Sequence, residues 1–171
     1  YMTDILSYTF GRRLLFVLLF LQAVSGFTQE PAHRQLSSLL TELKSAREAK
    51  DPSRLADVYY RLALYEEEVN KSTEVAFDYF IRAKQYYDLQ KNEAQSNKIN
   101  RIIARRYARS GFSSESIALY ENLISYYLGI GDEKTAAHIY HELSQAHHLA
   151  GDSEESLFAL NKAIKYNDKY K

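Results

Sequence analysis

Apolar residues recur along this chain at helical spacing, in stripes separated by short polar or glycine-containing breaks. Near its end Tyr140, Leu143, Ala146 and His147 share a helix face, Gly151-Asp152 interrupts the run, and Leu157, Leu160, Ala163 and Ile164 form the next stripe. The pattern predicts two helices joined by a tight turn. Gly151 stands at the left-handed position that closes a helix, and Asp152 or Ser153 caps the following one. The middle of the chain repeats the plan with Ile99, Ile103, Ala104 and Tyr107, then Gly111, then Ser116, Leu119, Tyr120, Leu123 and Ile124. Earlier, Leu36, Leu39, Leu40 and Leu43 predict an amphipathic helix that ends before Asp51-Pro52, where proline can open the next.

The stripes return with a period of forty. Displaced by that amount, Gly111 falls on Gly151, Ser113 on Ser153, Glu115 on Glu155, Ser116 on Ser156, Ile124 on Ile164, and Tyr86, Tyr126 and Tyr166 align in series. A fixed period of this size implies a stacked solenoid, in which each helix pair buries its apolar face against its neighbours and the working surface is extended rather than one deep pocket. Small residues recur at matching places: Ala104 with Ser144, and Ser116 with Ser156 and Ala76. A short side chain there lets two helices approach closely.

These residues resemble the tetratricopeptide repeat family. The likeness is carried by Tyr140, Leu143, Ser144, Gly151, Asp152, Ser156, Leu160 and Ala163, and in the preceding unit by Ile103, Ala104, Tyr107, Gly111, Ser116 and Tyr120. An earlier unit fits more loosely through Tyr59, Leu62 and Ala63, then Ala76, Phe80 and Ala83, with Asn70-Lys71 in place of the turn glycine and one residue inserted. The family's usual period is thirty-four. Here the second helix reads as about a turn and a half longer, running to Tyr126-Tyr127-Leu128-Gly129, a variant similar to the long repeats of exported bacterial sensor proteins. The resemblance implies an all-α, right-handed superhelical solenoid of helix-turn-helix repeats over residues 52–171, preceded by a leading helix in 29–51. With Leu157, Leu160 and Ile164 left unshielded, further repeats are expected beyond Lys171. It also implies a non-catalytic scaffold for a protein or peptide, as in the sensory part of a signalling protein.

Residues 1–28 read as a signal peptide. Arg12-Arg13 precede the apolar run Leu14 to Leu21, and the small, weakly polar stretch Ala23-Val24-Ser25-Gly26-Phe27-Thr28 follows. The run is short for a spanning helix. Cleavage is expected between Ser25 and Thr28, or the segment stays as an anchor; either way the repeats lie in the periplasm or on the outer face of the inner membrane. Contact with the membrane is expected only through this segment or a region downstream.

Composition narrows the chemistry. The 22 basic and 22 acidic residues balance, so charge gives no reason to invoke nucleic acid. The absence of cysteine removes disulfides, thiolate metal sites and a cysteine nucleophile. No glycine-rich phosphate loop or nucleophile elbow is present, and no cofactor is expected. The fifteen tyrosines read as packing residues with their hydroxyls at the rim.

Two clusters carry candidate chemistry. His138, His141, His147 and His148 share one predicted helix, and the alternative function is a metal-binding or enzymatic domain built on residues 138–148. His141-Glu142 begins like the zinc-protease signature, but Gln145 stands where its second histidine is needed. The resemblance implies that the first helix of each pair lines a concave groove. The register then turns Asp57, Tyr60 and Glu67 inward from the first unit, Lys98, Arg101 and Arg105 from the second, and His138, His141, Gln145 and His148 from the third. Lys98, Arg101 and Arg105 lie one turn apart and repel one another unless a carboxylate, from the next helix or from a bound peptide, stands among them.

Overall fold

In the computed structural model, which describes residues 32–169, seven α-helices follow one another: α1 (32–48), α2 (Pro52–Tyr65), α3 (Thr73–Leu89), α4 (Glu93–Arg109), α5 (Ser113–Gly129), α6 (Glu133–Ala150) and α7 (Ser153–Asp168). A π-helical turn, Glu66–Asn70, extends α2. The expected signal peptide, residues 1–28, lies outside the described residues, as do positions 29–31 of the leading segment and 170–171 of the repeat region.

One turn type joins the helices. A single residue of positive φ closes each: Lys50, Lys71, Lys91, Gly111, Gly131 and Gly151. The next residue's N–H then reaches back five positions to a carbonyl of the last helical turn. Asp51 reaches Ala46 at 3.1 Å, Asn92 reaches Tyr87 at 2.9 Å, Phe112 reaches Tyr107 at 3.0 Å, Asp132 reaches Tyr127 at 2.8 Å and Asp152 reaches His147 at 2.9 Å. This satisfies carbonyls that a helix end would otherwise leave open. The exception is Ser72, whose N–H spans six residues to Glu66 at 2.9 Å. The inserted residue of the looser unit is therefore absorbed in the widened π turn, and from Lys71 onward the turns recur every twenty positions.

Side chains reinforce several of these starts. Asp51 accepts from the N–H groups of Ser53 and Arg54, with Pro52 in the first turn, while Asn92 accepts from Gln95 and Asp132 from Thr135. Asp152 does not cap α7 with its side chain; its carboxylate lies 3.4 Å from His147 Nδ1. The longer period is not carried by the second helix alone, since α4 and α5 both span 17 residues.

The chain divides into two compact units at Tyr79–Phe80, within α3. In the first, Leu39, Leu43 and Ala46 of α1 and Leu55, Val58, Tyr59 and Leu62 of α2 are buried. Completely burying Leu62 is worth roughly 1.5–3 kcal/mol. Arg61 pairs with Glu42 at 2.8 Å, Arg47 donates to the Tyr59 hydroxyl at 2.8 Å, and Tyr65 donates to the Ala32 carbonyl at 3.0 Å.

The second unit holds α4 to α7 in an array of sequential antiparallel helices, each packed mainly on its neighbours in the chain. Its core is Ala104 and Ala108 of α4, Tyr120, Leu123 and Ile124 of α5, Ile139, Leu143 and Ala146 of α6, and Ala159 of α7. The small positions lie at the helix contacts. Ala104 and Ser116 are fully buried, and the Ser116 hydroxyl donates to the Ala104 carbonyl at 2.8 Å. On α7, Leu157, Leu160 and Ile164 stay exposed, whereas the residues forty positions earlier, Ile117, Tyr120 and Ile124, are packed into or against the core.

Candidate functional site

The polar faces of α4 and α6 meet in the second unit. These helices belong to successive pairs, and the forty-residue repeat sets their faces side by side. Glu142, in the middle of α6, takes two hydrogen bonds from Arg101: Nε to Oε2 at 2.8 Å and Nη2 to Oε1 at 3.1 Å. Arg105, one turn farther along α4, donates Nη2 to the same Oε1 at 2.7 Å. The two-pronged Arg101 contact fixes orientation as well as charge.

Only 14% of the Glu142 side chain is exposed, against 30% for Arg101 and 46% for Arg105. Burial pushes the Glu142 carboxyl up, but the hydrogen bonds and charge of Arg101, and then of Arg105, outweigh it and hold the group below the usual carboxylate range. Beneath the pair, Tyr120 is pushed up to about 12 by burial and by the Glu142 charge, with Arg105 and Arg101 pulling the other way; its oxygen also hydrogen-bonds to Arg105.

Arg101 and Arg105 thus meet on a carboxylate from the next pair, while Lys98 lies one turn earlier on α4 and is exposed. Around Glu142, His138, His141, Gln145 and His148 are all exposed along α6. Tyr60 is half-buried on α2 in the first unit, with Asp57 exposed beside it, and Glu67 is exposed in the π turn. Two arginines share one carboxylate here and Lys98 adds a third cation one turn away on α4, so this face keeps a positive excess with histidines at its edge.

The sequence sets Glu142 beside His141 but does not mark it as the carboxylate that meets Arg101 and Arg105. Its only signal is its place forty-one residues after Arg101, the repeat period plus one. Among the described residues no group of three or more histidine, cysteine, aspartate or glutamate side chains comes together as a metal site, and no helix is long and apolar enough to cross a membrane. His147, 13% exposed at its side chain, turns toward Asp152 and away from the other three histidines' exposed surface. No protein-family model matches the chain, and no curated protein or solved structure shows significant similarity to it.

Proposed function

We propose that this chain is a non-catalytic binding scaffold of the tetratricopeptide type, holding a protein or peptide segment against the α4–α6 face. The observation that supports it is the clamp of Arg101 and Arg105 on Glu142. It spans two successive helix pairs and holds both guanidinium groups in place, yet leaves Arg105 nearly half exposed beside Lys98. A partner carboxylate meets donors whose orientation is already fixed, so less side-chain entropy is lost on binding. His138, His141, Gln145 and His148 add polar contacts along the same helix. A right-handed superhelix with a concave side belongs to this proposal, as the repeat resemblance implies it.

The scaffold acts outside the inner membrane, on the strength of the basic, apolar and small-residue order of residues 12–28, and serves as the sensory portion of a signalling protein. Selection from a displayed peptide library tests the binding surface. Peptides enriched by the wild type should carry a carboxylate and be lost by the Arg101→Ala, Arg105→Ala double variant. Retention of the same peptides by that variant, with helical content intact, defeats the assignment.

A further inference from the structure

On the other side of α6, a cleft of about 520 Å³ opens between α5, α6 and α7. Its walls are aromatic and aliphatic, with Tyr140 and Leu143 from α6 and Phe158 from α7; three carboxylates, Glu121, Glu154 and Glu155, stand along it. The lining contains no lysine or arginine, and its one histidine, His147, lies 3.4 Å from the Asp152 carboxylate. Among the described residues these three carboxylates enter no hydrogen bond or ion pair, whereas Glu42, Asp88, Glu133 and Glu142 are each held by a cation.

The repeat accounts for only part of this lining, since Glu115 stands forty residues before Glu155 and Ile103 forty before Leu143. Forty positions earlier, Tyr140 corresponds to Asn100, Phe158 to Ala118, Glu154 to Ser114 and Glu121 to Ile81. Phe158, Glu154 and Glu121 therefore go beyond the packing pattern, whereas Tyr140 also packs against the core and stacks on Tyr166 at 5.8 Å. Phe158 is 62% exposed and its neighbour Leu157 63%, so α7 carries exposed apolar surface beside the cleft. Lys162 Nζ stands 5.3 Å from the centre of the Phe158 ring, so the ring accepts a cation against its face.

We propose that the cleft is a docking site for a partner peptide that carries a basic side chain next to an apolar one. The apolar side chain covers Phe158, Tyr140 and Leu143, and the guanidinium or ammonium group meets the carboxylates, which gain the partner they lack. The volume suits one or two side chains rather than a folded surface. This inference rests on the scaffold reading but not on the α4–α6 face, which prefers the opposite charge.

The test uses the full chain and three capped peptides of one design, Ala-Leu-Arg-Leu-Arg-Ala, its citrulline analogue and its glutamate analogue. Amide NMR titration should show the arginine peptide shifting residues of α5 to α7 around Glu121 and Phe158, with an affinity about tenfold or more above the citrulline peptide, which keeps the shape without the charge. Glu154→Gln, Glu155→Gln should weaken binding by a similar factor, and Phe158→Ala, at an exposed position, should abolish it with helical content unchanged. The Arg101→Ala, Arg105→Ala variant should bind as the wild type does, which separates this site from the α4–α6 face. Equal affinity for the citrulline peptide, wild-type binding by the glutamate-to-glutamine variant, shifts confined to α4 and α6, or no binding up to about 1 mM would each overturn the proposal.

Discussion

Ser116 and Ser156, forty residues apart, make the same hydrogen bond: each hydroxyl donates at 2.8 Å to the backbone carbonyl twelve residues before it, that of Ala104 for one and Ser144 for the other. A leucine at any of these four positions would force apart helices that touch through a hydroxyl or a methyl group. Ala104→Leu and Ser156→Leu should each destabilise the fold by about 1–3 kcal/mol. Ser116→Ala should cost about 1 kcal/mol, for the lost bond alone. Urea denaturation followed by circular dichroism measures all three, with the exposed Glu154→Gln as a control that changes little. Similar midpoints throughout would refute the contact assignment.

The serines made the period visible, and the turns show why half of it was not. Gly111, Gly131 and Gly151 advertise left-handed positions, whereas Lys50, Lys71 and Lys91 occupy the same conformation with a residue that has no preference for it. Helix stripes and the inserted residue near Asn70 could be read from the chain, but not the π turn that takes the insertion up. At the candidate site the row of cations was legible, because helical spacing alone sets it. Its partner Glu142 was not, since only the offset between two helix pairs joins it to Arg101. The cleft was hidden for another reason: Tyr140 and Leu143 look like ordinary stripe residues until the walls from α5 and α7 are in place.

The lysine turns should be improvable. Lys91 sits at φ 56°, a conformation that costs an L-residue roughly 1–2 kcal/mol and glycine almost nothing. Glycine's larger loss of chain entropy returns part of that, so Lys91→Gly should stabilise by less than about 1 kcal/mol. Gly151→Ala should do the reverse. A β-carbon at Gly151 meets no atom within 4 Å, so the loss of about 1 kcal/mol would come from the φ of 90° alone. Thermal melts of the two variants should move in opposite directions.

The π turn gives a prediction about chain length. Removing Glu68, exposed within Glu66–Asn70, should let an ordinary α-helical turn form and return the Ser72 bond to the five-residue span of the other turns. The shortened protein should keep its helical content and its melting temperature. Removing Asn122, exposed in the middle of α5, would instead rotate everything beyond it by one position and carry Leu123 and Ile124 out of the core. That deletion should unfold the second unit. Loss of structure in both proteins alike would mean that the turn is not an absorbed insertion.

Acid should attack the Arg101–Glu142–Arg105 clamp. The Glu142 carboxyl is held below its ordinary value of 4.5, so the native state binds a proton less readily than the unfolded chain does. The stability it supplies is fully present above about pH 4.5 and is lost as pH falls through the lower folded value. Asp88 and Asp132 are lowered as well. Burial works against the shift at Asp88 but Lys84 and Ser96 outweigh it, and the Thr135 side chain and N–H hold Asp132 down, so the wild type has several acid-sensitive groups. The difference between wild type and Glu142→Gln isolates one of them. At neutral pH the variant should be less stable by about 1–3 kcal/mol, since it loses charge-assisted bonds and leaves two guanidinium groups side by side, at the lower end because both arginines are partly solvated. The gap should narrow steadily below pH 4.5 as the wild-type carboxyl protonates. Denaturation curves at a series of pH values measure it, and a gap that stays constant down to the acid limit would show that Glu142 does not carry its charge into the fold.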